Sequence, residues 1–202
     1  AYTSVLEVPG EVDLAIIVVN AKFVLSTIDQ CNEKGIKGIC IITAGFKETG
    51  AAGAELEKEL VEKIHSYGMR CVGPNCLGVV NTHPDVRMDG CFAESLPERG
   101  NIGFVSQSGA LGGGILNILK DLNLGFAQFI SIGNQADVNA ETALEYWEND
   151  EDVEQILLYM ESIQNPANFR KLASRISRKK PVLALKAGRS AAGASAASSH
   201  TG

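Results

Sequence analysis

The chain has 202 residues, 45% of them hydrophobic and 21% charged, with a formal net charge of −6. This is the composition of an ordinary soluble globular protein, with apolar side chains enough for one large core or two of about a hundred residues each. The acidic balance gives no support to nucleic-acid binding, and no apolar run approaches the roughly 20 residues of a membrane-spanning helix. The five cysteines, Cys31, Cys40, Cys71, Cys76 and Cys91, are odd in number and form no CxxC pair. Free thiols in a reducing, cytoplasmic compartment are therefore expected, and no metal site. The opening AYTSVLEVPG lacks an initiator Met and reads as a connecting segment, so the chain is expected to be a fragment of a longer protein.

The first half alternates strand and helix. Residues 13–20 (DLAIIVVN) form a nearly continuous apolar run, the pattern of a strand buried on both faces of a parallel sheet. Residues 22–34 place Phe23, Val24, Ile28 and Cys31 on one helical face, and Gly35 is a natural stop. A second strand is predicted over 38–43, a helix over 51–67 with Leu56, Leu60, Val61, Ile64 and Tyr67 at helical spacing, and a third strand over 70–72. Three strands alternating with two helices imply parallel pairing through right-handed crossovers.

At Pro97-Glu98-Arg99-Gly100 the composition changes and a hinge is expected. The alternation then restarts, with strands over 101–105, 127–132, 155–160 and 182–185. Helices are predicted after the first of these up to 122, then over 141–148 and 166–176, the last opened by Asn165 as cap and Pro166 in its first turn. The fold class expected is α/β, with two doubly wound units.

Ligands of open α/β sheets bind at the carboxyl ends of the strands, which directs attention to four turns and the chain's last residues. In SQSGALGGG (106–114), a strand runs through glycines into a helix, whose first-turn N–H groups and dipole favour a phosphate. The same glycines also suit tight packing of a helix on a sheet. In SIGNQADVN (131–139), Gly133 and Asn134 fit a positive-φ turn, and Asp137 or Asn139 can cap the next helix. LYMESI (158–163) leaves Glu161 at the end of a buried strand, where a carboxylate needs a partner. An Arg ion pair or an imidazole to orient both meet that need. GPNCLGVVN (73–81) presents Asn75 and Cys76 on a Gly-Pro turn, the thiol acting either as a small hydrophobe or as the lining of a ligand channel. The terminal LKAGRSAAGASAASSHTG (185–202), almost all Gly, Ala and Ser, delivers His200, as a disordered tail or as the mobile carrier of a reactive imidazole. His65 and His83 read as solvated surface residues.

Taken in order, these five stretches resemble the α subunit of ADP-forming acetyl-CoA synthetases, which belong with the succinyl-CoA ligases among the nucleoside-diphosphate-forming acyl-CoA ligases. The resemblance implies a Rossmann-like CoA-binding domain over 1–96, N-terminally incomplete, then a flavodoxin-like ligase domain over 97–202 ending in a phosphohistidine loop. It implies that His200 is the phosphorylated residue, that Glu161 hydrogen-bonds its other ring nitrogen, and that phosphate sits over Ser108, Gly109 and Ala110. Asn20 and Thr43 would contact CoA, with Asn75 and Cys76 near its pantetheine thiol. The implied cofactors are coenzyme A and ADP/ATP with Mg, the nucleotide bound mainly by an ATP-grasp β component, separate or fused. The substrates would be a small carboxylic acid, acetate first, and its acyl-CoA, and the enzyme an oligomer. The family pattern also places a strand and glycine-rich turn before Ala1 and further segments after Gly202, so this chain is not expected to turn over alone. A rival reading is a CoA-sensing module of a larger protein such as a protein acetyltransferase. Keeping His200 together with Glu161 favours the ligase. The absence of a dinucleotide fingerprint weighs against a nicotinamide-dependent dehydrogenase.

Overall fold

The computed structural model describes residues 1–93 and 97–188. Its first half is β1 (Leu14–Ile17), α1 (Ala21–Lys34), β2 (Gly38–Ile41), α2 (Ala51–Ser66) and β3 (Arg70–Val72), with the strands parallel in the order β1-β2-β3. Asn20 caps α1 by accepting from Lys22 N at 3.2 Å, and Gly35 ends it in the left-handed region at φ 87°. Val24, Ile28 and Cys31 of α1 and Leu60 and Ile64 of α2 pack with Ile17, Ile39, Ile41 and Cys71 in one core.

The strand predicted over 13–20 is shorter than expected and is not buried on both faces: Ile17 is 3% exposed, but Ile16 is 43% and Val18 70% exposed. β1 lies at the edge of its sheet, and the helices cover one face. The other face meets Cys76 and Val79, which pack on Cys40 and Leu14. Ile16 and Val18 are left along a groove with Gly90 and Phe92.

The second half is β6 (Arg99–Ser106), α3 (Gly109–Asp121), β7 (Phe126–Ser131), α4 (Ala140–Trp147), β8 (Gln155–Met160), α5 (Pro166–Ile176) and β9 (Val182–Lys186), preceded by β4 (Gly78–Asn81) and β5 (Met88–Cys91). The sheet order is β5-β4-β7-β6-β8-β9, with β7, β6, β8 and β9 parallel and the β4–β5 hairpin joined antiparallel to β7. On one face, Leu116 of α3 packs with Phe104, Phe126 and Phe129. On the other, Leu144 and Trp147 of α4 and Leu172 and Ile176 of α5 pack with Ile156 and Leu158. Helices on both faces of a mostly parallel sheet make this unit doubly wound.

Sequence periodicity did not indicate β4 and β5, and the segment expected to be a hinge is partly strand. Arg99 and Gly100 belong to β6, and a Cβ on Gly100 would lie 2.3 Å from the Gly125 backbone, so this stretch is tightly packed. The halves are further stitched together by the loop after β7, where Asn134 N, Ala136 N and Val138 N donate to Pro74 O, Gly73 O and Cys71 O at 2.9, 3.1 and 3.0 Å.

Candidate functional site

The strand-to-helix turn at β6 and α3 forms one wall of the site. Ser108 is the α3 N-cap; its side chain accepts from Leu111 N at 3.4 Å and its carbonyl from Gly112 N at 3.0 Å. Gly109 and Ala110 follow as the first two helical residues, whose N–H groups have no acceptor within the helix. Ser108, Gly109 and Ala110 all line a cavity of 370 Å³. A helix of 13 residues adds its partial positive charge at that end. The tight-packing alternative also has a place here, two residues further on. A Cβ at Gly112 would meet Phe129 and Ser106 at 3.0 and 3.1 Å, so Gly112 is the packing glycine and Gly109 opens the cavity.

The opposite wall comes from the first half of the chain. Asn75 and Cys76 line the same cavity, with Ile42, Leu77, Phe92, Gln107, Gly133 and Asn134. Asn75 adopts φ 57° and its N–H donates to Thr43 O at 3.0 Å. Cys76 meets both descriptions offered by the sequence: it is 5% exposed, yet lines the cavity. Its thiol donates to Ile41 O at 3.2 Å and lies 3.7 Å from Cys40 Sγ. That neighbouring sulfur, together with burial, pushes the Cys40 thiol well above its ordinary range, and Cys40 stays a neutral hydrophobe.

Gly133 and Asn134 bring the loop after β7 into the cavity. Gly133 has φ 50°, and a Cβ there would lie 2.3 Å from the carbonyl oxygens of both Pro74 and Asn75, so only glycine fits. Buried Asn134 donates through Nδ2 to Glu48 Oε2 at 2.6 Å and to Glu57 Oε2 at 2.8 Å. Lys47 bonds Asn134 O and pairs with Glu57 at 3.2 Å, balancing the second carboxylate. Burial opposes ionisation of Glu48, but the hydrogen bonds from Asn134 and from Gly45 and Phe46 N–H outweigh it and hold the carboxyl below its usual range. Asp137, expected as a possible cap, instead binds the first half: its carboxylate accepts from Cys71 N at 2.8 Å, Arg70 Nε at 2.9 Å and His65 Nε2 at 3.1 Å. Asn139 is the cap of α4, bonding Thr142 N at 2.9 Å in a reciprocal capping box.

Glu161 follows directly on β8. Since Ser106 pairs with Tyr159 in the β6–β8 register, Glu161 emerges at the same sheet edge as the α3 turn. The link between them is Gln107, whose Oε1 accepts from Glu161 N at 2.9 Å and Ser162 N at 3.0 Å. Lys186 Nζ donates to Glu161 O at 2.7 Å. Of the candidate residues, Ser108, Gly109, Ala110, Asn75 and Cys76 thus meet at one cavity, with Glu161 one side chain away. Asn20 and Thr43 are not in its lining: Asn20 caps α1, and Thr43 Oγ1 donates to Val19 O at 2.7 Å, tying the ends of β1 and β2. His200 lies outside the described residues. His65 and His83 are surface residues, the second facing Asp152 at 3.4 Å, and both are away from the cavity lining. Gln107 was not singled out by sequence reasoning, and Asn134 only as a positive-φ turn residue, a conformation that Gly133 and Gln135 adopt instead. The one signal available for each was a polar side chain beside glycines in an otherwise apolar strand-end context.

A family model described as the succinyl-CoA ligase like flavodoxin domain matches residues 99–202. The chain belongs to the succinyl-CoA ligase-like flavodoxin-domain family. Ahead of this succinyl-CoA ligase-like half, a CoA binding domain model matches residues 1–82, so the α/β architecture is a Rossmann-like CoA-binding unit followed by a flavodoxin-like ligase unit. Over 202 residues the chain is 51% identical to the acetate–CoA ligase [ADP-forming] II subunit alpha of Pyrococcus furiosus, covering 100% of this chain and 44% of that protein. It is 46% identical to the acetate–CoA ligase [ADP-forming] I of Archaeoglobus fulgidus over 100% of this chain and 29% of that protein. Among solved structures it matches the dinucleotide-forming acetyl-coenzyme A synthetase 1 of Candidatus Korarchaeum cryptofilum, in complex with phosphate and ADP. That match has a TM-score of 0.89 and 41% identity, over 99% of this chain and 43% of that one. The succinyl-CoA ligase-like chain therefore spans less than half the length of these relatives. Among its described residues no helix is long and apolar enough to cross a membrane.

Proposed function

We propose that this chain is the CoA-binding and phosphohistidine-bearing portion of an ADP-forming acyl-CoA ligase. The enzyme interconverts acyl-CoA, ADP and phosphate with a small carboxylic acid, acetate foremost, ATP and CoA. The observation that carries this reading is the α3 N-terminus opening onto a 370 Å³ cavity opposite Asn75 and Cys76, with Glu161 tied to the same turn.

In this reading residues 1–96 hold CoA and residues 97–202 carry the ligase chemistry, with the β4–β5 hairpin reaching from the first part into the second sheet. A neighbouring 440 Å³ groove of Ile16, Val18, Ile42, Gly90, Cys91, Phe92 and Asp89 shares Ile42 and Phe92 with the cavity. Its mostly apolar lining suits an extended pantetheine arm whose thiol ends beside Cys76, with Asn20 and Thr43 nearby at the ends of β1 and β2. Backbone N–H groups of Ser108, Gly109 and Ala110 hold phosphate oxygens and stabilise charge as it develops. Phosphate oxygen attacks the thioester carbonyl carbon and the C–S bond breaks, giving acyl phosphate and CoA thiol. A ring nitrogen of His200 then attacks phosphorus, releasing the carboxylate. Glu161 accepts the hydrogen of the other ring nitrogen, which fixes the tautomer and balances the imidazolium. The Gly/Ala/Ser segment carries the phosphoryl group to ADP. In this reading Mg and nucleotide are held by an ATP-grasp component, separate or fused, in an oligomeric enzyme. The free thiols support a reducing, cytoplasmic location.

The test is to incubate the full-length protein and its nucleotide-binding component with ATP labelled on the γ-phosphate. Acid-labile, base-stable label is expected on the wild type, none on His200→Ala, and less on Glu161→Gln. CoA binding with no such label in the wild type would sink the ligase reading in favour of a CoA-sensing module.

A further inference from the structure

Between the two elements of the proposed phosphoryl-transfer site stands one side chain whose bonding is fully determined. Gln107 is 7% exposed and follows Ser106 at the end of β6. Its own N–H donates to Tyr159 O at 3.0 Å, continuing the ladder to β8. Its Oε1 faces two donors, Glu161 N and Ser162 N, at 2.9 and 3.0 Å. The orientation of the amide is thereby fixed, and Nε2 must donate, which it does to Ser162 Oγ at 3.0 Å. A second buried amide, Gln135, 3% exposed, donates to that same oxygen at 2.8 Å. Gln135 is in turn held by Gln164 Nε2, which donates to its carbonyl at 2.7 Å.

Three consequences follow. The chain just after β8 is gripped at two consecutive N–H groups by a residue adjoining the α3 cap, so the position of Glu161 relative to the α3 N-terminus is set through Gln107. Both lone pairs of Ser162 Oγ are occupied by amide donors, so its hydroxyl hydrogen is committed to donate outward. Gln135 lies two residues beyond Gly133, which lines the cavity, so the brace joins all three turns at the strand ends.

We propose that Gln107 is a positioning residue for the phosphoryl transfer, holding Glu161 in register with the amides of Gly109 and Ala110, with Ser162 and Gln135 as its brace. This rests on the phosphohistidine reading above. The demand is strict because a displacement of about 1 Å in a catalytic group costs on the order of a hundredfold in rate.

The experiment uses the full-length enzyme with its nucleotide-binding component and compares Gln107→Met, which keeps the volume but accepts no N–H, with Gln107→Glu, which restores the acceptor. Single-turnover phosphohistidine formation from acyl-CoA and phosphate is measured, with KM for phosphate and CoA. For Gln107→Met the expected result is a kcat loss of about tenfold to a hundredfold with KM for CoA unchanged and the melting temperature close to wild type. Gln107→Glu should recover most of kcat while raising KM for phosphate, since it adds negative charge at the cavity. An unchanged kcat in Gln107→Met would overturn the proposal. So would a loss that Gln107→Glu does not recover, or a loss confined to KM for phosphate, which would make Gln107 a ligand instead. His200→Ala and Glu161→Gln run alongside: label persisting on His200→Ala refutes the phosphohistidine reading itself, whatever Gln107 does.

Discussion

Replacing Asp137 with Asn tests how the loop that carries Gly133 and Asn134 is anchored to the first half of the chain. The Asp137 side chain is 5% exposed, while those of His65 and Arg70 are 52% and 59% exposed. The exposed partners contribute little, about 0–1 kcal/mol between them, because solvent screens such pairs. The Cys71 N–H bond at 2.8 Å is a buried donor on a charged acceptor, worth about 1.5–3 kcal/mol. Asparagine keeps the shape, and its one acceptor oxygen, set where Oδ2 stands, still receives Cys71 N–H and Arg70 Nε, but both bonds lose the carboxylate charge and His65 Nε2 faces an amide nitrogen in place of Oδ1. The expected destabilisation at pH 7 is about 1–2 kcal/mol. Burial opposes ionisation of Asp137, but Arg70, Cys71 N–H and His65 outweigh it, and its pKa lies below the ordinary value. A carboxylate with a depressed folded-state pKa contributes its stability above the unfolded value of about 3.9 and loses it as pH falls through the folded one. The gap between wild type and Asp137→Asn should therefore be full at pH 7 and shrink below about pH 4. Urea unfolding at a series of pH values reads it directly. A gap that is constant down to pH 3, or under about 0.5 kcal/mol at pH 7, would refute the assignment of Asp137 as the anchor.

Asn134→Asp sets a third carboxylate against Glu48 and Glu57 in place of the shared amide donor, and should cost about 3–5 kcal/mol; adding Glu48→Gln should recover part of that in the same denaturant titration. Gly133→Ala forces a Cβ to within 2.3 Å of two backbone carbonyl oxygens, and a loss of about 3 kcal/mol is expected, with a lowered melting temperature as the readout.

How far the sequence revealed this arrangement depended on whether the deciding contact was local. The β6–α3 turn was legible because everything that makes it lies within a few residues: an apolar strand, Ser108 to cap, and glycines where the chain approaches other groups. The β4–β5 hairpin was not, because its strands have four residues each and β4 offers only Val79 and Val80 as core side chains. What fixes them as strands is pairing with β7, some fifty residues on, which no local period records. Asp137 shows the intermediate case. Asp137 and Asn139 are equally good caps by type, yet Asn139 stands three residues before Thr142, the spacing of a capping box. That spacing assigns the cap to Asn139 and leaves the buried Asp137 needing a distant donor.

The same reasoning separates what sequence fixes at the site from what it leaves open. A polar side chain at a strand end must find a partner, so the presence of a partner for Glu161, Asn134 and Gln107 follows from burial alone. Which partner follows only from topology. For Glu161 the sequence suggested an Arg or an imidazole. The fold adds two contacts to its backbone, Gln107 on the N–H and Lys186 on the carbonyl, because β6 and β9 flank β8 in the sheet. The Glu161 main chain is therefore clamped by both neighbouring strand ends, which fixes where its side chain leaves the sheet edge; under the phosphohistidine reading proposed above, it is such a fixed acceptor that selects the orientation of an arriving ring nitrogen.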